Sequence, residues 1–203
     1  MAGQEIKILG HKFKVGTTLK SNSVFTLNSL KEWISEKTKK WNIVSRSYEG
    51  RKDLTNSLLI SKVNYHLSFL FGLNETNFKG IQSVLDSFIF DKRVYPGKGK
   101  YCSKNVGGLG SPNIYSRYIT AQLQWVRKIC LWDNAELEDS PSWLLPFKLV
   151  LEKYKLPKCK VLFAMGNSVL SYLIKICEYE RLNVIKEILL TLLSTRKRYE
   201  NNL

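Results

Sequence analysis

Few residues of this chain can do catalytic or metal chemistry. Its 203 residues include two histidines and four cysteines, and no Cys-x-x-Cys pair occurs. Cys102, Cys130, Cys159 and Cys177 are irregularly spaced, and neither His11 nor His66 lies near one in sequence. That excludes a zinc site of ordinary ligand spacing, and no metal or cofactor is expected. So few histidines leave little for acid–base or nucleophile–base catalysis, and there is no Gly-x-x-x-x-Gly-Lys phosphate loop. Long apolar runs are missing too: stretches such as 188–193 are far too short to span a bilayer, so no membrane partner is expected. The first residues lack a basic start followed by an apolar stretch, so no secretory signal is read there. Scattered cysteines without a disulfide framework fit an intracellular, reducing compartment. No internal repeat or low-complexity tract is visible in the residues themselves.

What is present is positive charge and enough apolar mass for a core. Hydrophobic residues make up 44% and aromatics 12%, which excludes wholesale disorder. The net charge is +15, unevenly spread. Residues 1–133 hold 21 Lys and Arg against 9 Asp and Glu, whereas residues 134–203 hold 11 against 8. A basic body with a nearly neutral tail points to a polyanionic partner contacted by the first two thirds.

Residues 6–15 alternate imperfectly and read as one short strand, or a strand pair broken at Gly10. Residues 21–26, rich in Ser, Asn and Thr, read as a loop, with Thr26 or Asn28 capping the helix after it. Leu27, Leu30, Trp33, Ile34 and Trp41 follow a helical period in that helix. A second helix is expected over 50–71, stopped by Gly72, and a third over 75–90 with Asn74 as its cap. Residues 91–105 carry Lys92, Arg93, Lys98, Lys100 and Lys104 among glycines and read as a loop or hairpin. A fourth helix follows Pro112, a residue suited to a first helical turn. The acidic stretch 133–141 reads as a boundary, followed by helices over about 143–154 and 167–198. Trp33, Trp41 and Trp125 fall on apolar helical faces and read as core, while Tyr95 and Tyr101 in the basic loop are better placed for stacking.

Six ordered segments, Ile8-Leu9-Gly10, Lys40-Trp41, Ser47 to Arg51, Ile60 to Tyr65, Phe88-Ile89-Phe90 and Gly107 to Asn113, together resemble the thumb of reverse transcriptases from non-LTR, LINE-type retrotransposons. Ile8-Leu9-Gly10 resembles the strand that closes the palm, and Lys40-Trp41 ends the next helix. Ser47-Tyr48-Glu49-Gly50-Arg51 resembles the family's Ser-x-x-Gly-Arg turn, and Ile60-Ser61-Lys62-Val63-Asn64-Tyr65 its Ile-Leu-Pro-Lys-x-x-Tyr. Phe88-Ile89-Phe90 matches Phe-apolar-Trp with Phe90 in place of the tryptophan. Gly107-Gly108-Leu109-Gly110-Ser111-Pro112-Asn113 is close to Gly-Gly-Leu-Gly-x-Pro-(Asp/Asn), with Tyr115 and Ala121 at fitting distances. The resemblance covers about residues 6–131. It departs at Ser61, which replaces a helix-kinking proline and implies a straighter helix. The family's fingers and catalytic palm have no counterpart: no Tyr/Phe-x-Asp-Asp occurs, and Asp53, Asp86, Asp91, Asp133 and Asp139 are scattered. Polymerisation needs carboxylates that hold metal ions at the reacting oxygens, so no catalytic residue is assigned and the chain is not expected to polymerise.

The helical periods and the resemblance together imply a mainly α chain. It would comprise a palm-end β element over 1–20, a thumb-like helical bundle over 21–133 and a C-terminal helical extension over 134–203. The family's thumb grips the template–primer duplex, which implies sequence-tolerant binding of RNA or an RNA–DNA hybrid. The glycines Gly107, Gly108 and Gly110 would offer low bulk and free amides at a helix N-terminus. Lys98, Lys100, Lys104 and Arg117 would add charge, as would Arg46, Arg51 and Lys52 at the second helix, all as phosphate contacts without sequence information. The alternative is a repurposed scaffold that binds protein. In that case the apolar face of Leu182, Ile185, Ile188, Leu189 and Leu192 would dock an intact polymerase or a second copy of the chain.

Overall fold

The structure, a computed structural model, describes residues 4–8, 11–41, 47–90, 97–134, 136 and 139–200. It is mainly helical, with a two-stranded antiparallel sheet near its N-terminus. The chain divides into two compact units, residues 1–118 and 119–203. No helix among the described residues is long and apolar enough to cross a membrane.

The first unit opens with strands β1 (Glu5–Ile8) and β2 (His11–Lys14), paired so that Ile6 faces Phe13 across the ladder. The strand-pair reading therefore holds, and Gly10 itself lies outside the described residues. Helix α1 (Leu19–Trp41) follows at once. The expected loop over 21–26 is helix instead, because its polar side chains have partners. Thr18 Oγ1 accepts from the Ser21 N–H at 3.2 Å and so caps the helix well before Thr26 or Asn28. Asn22 Oδ1 takes the Lys14 N–H at 2.7 Å, tying the hairpin to α1. Buried Ser23 donates to Leu19 O and accepts from Phe71 N–H at 2.8 Å. Polarity alone suggested a loop; each group is satisfied inside the fold.

Helix α2 (Tyr48–Leu54), capped by Ser47, passes through a π-type turn at Thr55–Leu59 into α3 (Ile60–Leu67). The expected regular helix over 50–71 is thus shorter and internally widened. Ser61 Oγ simply bonds back to Ser57 O at 2.7 Å, while the irregularity sits one turn earlier, where Thr55 Oγ1 bonds Arg51 O at 2.8 Å. Helix α4 (Glu75–Phe90) has the expected limits, and Asn74 Oδ1 accepts from Asn77 N–H as its cap. Leu27, Leu30 and Ile34 of α1, Leu59, Ile60, Val63 and Leu67, and Phe78, Ile81, Leu85, Phe88 and Ile89 of α4 are all buried. Helix α5 (Ile114–Leu131) begins in this unit, where Ile114 and Tyr118 are buried, and its remainder belongs to the second. Its cap is Asn113, which accepts from Ser116 N–H at 2.8 Å, so Pro112 lies just ahead of the helix.

The second unit adds α6 (Leu145–Lys153), α7 (Cys159–Ala164), α8 (Asn167–Tyr179) and α9 (Asn183–Glu200). The continuous helix expected over 167–198 is broken at 180–182, and α7 is an element the residue pattern did not disclose. A repeat is present here that the sequence hid. Displaced by 26 residues, the burial pattern of α6–α7 matches that of α8–α9. Leu144, Phe147, Lys148, Val150 and Leu151 are buried, and so are Leu170, Leu173, Ile174, Ile176 and Cys177. Across the turn, Cys159, Leu162 and Phe163 correspond to Ile185, Ile188 and Leu189, all buried. Both first helices end alike. Leu156 N–H returns to Leu151 O at 2.9 Å and Leu182 N–H to Cys177 O at 2.7 Å. The residue between takes a left-handed φ, 52° at Lys155 and 58° at Arg181. Equivalent positions touch: Tyr154 OH donates to Glu180 Oε1 at 2.8 Å, beside Lys153 Nζ at 2.6 Å. These are two stacked helical hairpins of one design. The apolar face of α9, Ile185, Ile188 and Leu189, is thereby core of its own hairpin, since α8 and α9 pack along their length.

The two left-handed caps generate a test. Glycine is the residue that adopts this conformation without a Cβ clash, and its greater unfolded-state freedom offsets part of the gain. Lys155→Gly and Arg181→Gly should each raise stability by about 0.5–1 kcal/mol, read as a higher urea midpoint. A lower midpoint for either variant would mean that its long side chain contributes more than the backbone strain costs.

Candidate nucleic-acid interface

The residues assigned to phosphate contact collect around two short segments of the first unit: the start of α2 and the loop that leads into α5. The loop makes two 3₁₀ turns, Lys98–Tyr101 and Lys104–Val106, then runs on without helix or strand to Asn113. Its shape is fixed by its own backbone. Gly107 N–H bonds Lys104 O at 3.1 Å, Gly108 N–H bonds Ser103 O at 2.9 Å, and Gly110 N–H bonds Cys102 O at 2.8 Å. The three amides expected to face a phosphate are therefore engaged within the loop. Gly107 and Gly110 have φ of 79° and 64°. At Gly108 the reason for glycine is space: an added Cβ would come within 2.2 Å of Cys102 O.

Asp86 of α4 anchors this loop. Its Oδ2 accepts from Lys100 Nζ at 2.6 Å and Tyr101 OH at 3.1 Å, and its Oδ1 from Gln82 Nε2 at 2.9 Å. Gln82, one turn earlier, also donates to Pro112 O at 3.1 Å and accepts from Ile114 N–H at 2.9 Å, so it holds the entrance to α5. Neither residue was singled out by the apolar stripe of α4. The available signal was the Gln–Asp pair at i and i+4, a spacing at which the two side chains meet. Burial acts to lower the Lys100 pKa, but the hydrogen bond and charge of Asp86 outweigh it and leave it raised. The Tyr101 hydroxyl is raised by burial first and by the Asp86 charge second. Both shifts contribute stability that is complete below the ordinary lysine and tyrosine values and is lost as pH rises through the raised ones. The loop thus stays anchored at neutral pH.

A second tie runs to α2. Tyr48 OH donates to Leu109 O at 2.7 Å, and the Tyr48 ring stacks on Phe90 with centroids 5.5 Å apart. Leu109 and Trp41 pack with Tyr48 against the buried Phe88, Ile89 and Phe90. Glu49 accepts from Lys104 at 2.7 Å and from Lys52 at 2.7 Å, and these bonds hold its carboxyl below the usual range.

The structure separates the assigned cations into two groups. Arg51 and Lys52 are buried. The Arg51 guanidinium donates to Phe88 O at 3.1 Å and lies over the Phe88 ring, and the Lys52 ammonium turns back to Glu49. Their charge supports the fold in this conformation. Lys104 is exposed, Lys100 is half-buried against Asp86, and Arg117 is half-buried on the first turn of α5. Arg46, Tyr95 and the Lys98 side chain lie outside the described residues. Tyr101, a stacking candidate in the sequence, is half-buried with its hydroxyl on Asp86.

Among the described residues no cluster of three or more His, Cys, Asp or Glu could hold a metal ion. Burial pushes the Cys177 thiol up to about 12, and Cys159 is raised by burial and then by Asp133. Such thiols stay protonated and unreactive at neutral pH. Comparison with protein-family models, with curated proteins and with solved structures gives no match for this chain.

Two substitutions test the anchoring scheme. Asp86→Ala should lower stability by roughly 2–3 kcal/mol, because it strands three donors, one of them charged. Gly108→Ala should cost roughly 2 kcal/mol through the forced backbone shift. Urea unfolding reads both, and a change below about 0.5 kcal/mol in either would remove that residue from the scheme.

Proposed function

We propose that this chain binds RNA or RNA–DNA duplex without sequence preference, through its first unit, as a fragment or derivative of a retrotransposon reverse transcriptase with no polymerase chemistry of its own. The observation that supports this most is the charge of that unit. Residues 1–118 hold 19 Lys and Arg against 8 Asp and Glu, a net +11. Lys20, Lys31, Lys39, Lys40, Lys62, Lys79 and Lys104 are exposed on it. A surplus of this size on one compact body attracts a phosphate backbone whatever its sequence. The ordered thumb-like motifs add the duplex as the form of the ligand.

The geometry refines which atoms would make the contact. With the loop amides bonded to loop carbonyls, phosphates are met by side-chain cations, and the glycines set the loop's shape. Lys104 and Arg117 flank the glycine segment in sequence and are accessible to different degrees. Lys104 would exchange its exposed bond to Glu49 for a phosphate at little cost, since exposed ion pairs contribute on the order of 0–1 kcal/mol.

Titrating the full chain with a labelled RNA–DNA hybrid and an unrelated duplex, at low and near-physiological salt, tests the proposal. The expected result is comparable affinity for both and a steep loss with salt. Lys104→Gln with Arg117→Gln should weaken both duplexes alike and reduce the salt slope by about 1 for each phosphate no longer neutralised. Absence of binding at low salt would overturn the reading.

A further inference from the structure

The two hairpins of the second unit place equivalent residues side by side, and the surface they share differs in character from the interface above. Helix α8 exposes Tyr172, Lys175 and Tyr179 at spacings of three and four, so they lie on one stripe of the helix. The two rings are 53% and 78% exposed and stand about 10 Å apart along the axis, with the lysine between them. The stripe runs into the hairpin turns, where Lys155 and Arg181 occupy the same left-handed position one repeat apart. The turns are in contact through Tyr154, Lys153 and Glu180, and both cations are exposed there. Lys158, exposed at the start of α7, is held aside from them, its Nζ donating to Asn134 Oδ1 at 2.8 Å.

The charge on this edge is not neutralised internally. Glu180 is taken by Lys153 and Glu178 by Lys186. Among the described residues, Lys155, Lys175 and Arg181 have no carboxylate partner, against one such carboxylate, Glu152. Lysine in the middle of an aromatic stripe is unfavourable for a protein–protein core, where lysine is depleted. It suits a ligand that offers flat apolar rings and phosphates together. A duplex keeps its bases stacked on one another, so only an unpaired strand can place a base on an exposed tyrosine ring.

We propose that the α8 stripe and the hairpin turns form a binding surface for single-stranded nucleic acid, with Tyr172 and Tyr179 as stacking platforms and Lys155, Lys175 and Arg181 as phosphate contacts. This surface is separate from the duplex contact assigned to the first unit and does not depend on it. Recognition is sequence-tolerant, because every base has a face to stack. Glycine would be the relaxed choice at both turn positions, and both carry long cations instead.

The experiment is fluorescence anisotropy of the full chain with labelled oligo(U) of about twelve nucleotides, within the range one such binding surface covers, alongside the RNA–DNA hybrid. The expected result is salt-sensitive oligo(U) binding that falls about tenfold or more in Tyr172→Ala/Tyr179→Ala, with hybrid affinity unchanged within about twofold. Tyr172→Phe/Tyr179→Phe should bind oligo(U) as the parent does, since stacking needs the ring and not the hydroxyl. Lys175→Glu/Arg181→Glu should weaken oligo(U) and provides a second reading if the alanine pair disturbs the fold by circular dichroism. No oligo(U) binding by the parent overturns the proposal, as does parent-like binding by folded alanine and glutamate variants or a matching loss in the phenylalanine pair. Loss of hybrid binding with oligo(U) binding intact would remove the duplex reading and leave this one standing.

Discussion

The carboxylate of Asp86 receives donors from three side chains: a lysine and a tyrosine of the glycine-rich loop, and Gln82 one turn back on its own helix. Gln82 in turn holds the backbone on both sides of Asn113, where α5 is capped. The loop has almost no apolar mass of its own apart from Leu109, so hydrophobic burial cannot place it. Its order rests on this polar anchor, on the Tyr48 bond to Leu109, and on its internal backbone ladder. A polar network in partly buried surroundings is strong only when its members are satisfied, and Lys100, Tyr101 and Gln82 each reach an acceptor here. The glycine-rich segment is thus a shaped platform, and the amides of Gly107, Gly108 and Gly110 are used in the shaping.

The same distinction divides the basic residues. A count of lysines and arginines gives the total field, which governs non-specific attraction. It does not distinguish a cation facing solvent from one that holds two helices together. Arg51 and Lys52 sit in a Gly-Arg-Lys sequence that reads as basic surface, yet one is tied to Phe88 O and the other to Glu49. Arginine is well suited to such a place, since its planar group can bond a carbonyl and lie on a ring at once. Removing Arg51 would disturb the α2–α4 packing before it changed any ligand contact.

How much could be read from the residues follows the kind of force involved. Helix α4 was legible to its limits because a strong apolar period and an Asn cap agree there. The N-terminal strands and the existence of α1, α3 and α5 followed from the same patterning. The start of α1 was not legible, because Ser23 and Asn22 look like loop residues until Phe71 N–H and Lys14 N–H are placed on them. The Asp86–Gln82 hub was hidden for the same reason: a buried polar group is explained by its partner, and the partner lies far away in sequence. The break between α8 and α9 was hidden because its left-handed residue is arginine, where a reader looks for glycine.

The hairpin repeat shows this limit most sharply. Across its 26-residue offset the two copies share few identities, Leu144 with Leu170, Glu152 with Glu178 and Leu156 with Leu182 among them. The buried positions nevertheless correspond from Leu144 to Phe163, and the turn bonds match to within a few tenths of an ångström. Packing constrains only whether a position is apolar and how large it is, so Cys177 can stand where Leu151 does, and Ile174 can take the place of the Lys148 stem. The exposed positions are under no such constraint, and there the copies diverge: Pro146, Leu149 and Lys153 on α6 become Tyr172, Lys175 and Tyr179 on α8. Stability fixes one face of the repeat and leaves the other free to specialise. The place to look for this unit's activity is therefore the exposed face where the two copies differ, together with the turn residue, Lys155 or Arg181, where they agree against backbone preference.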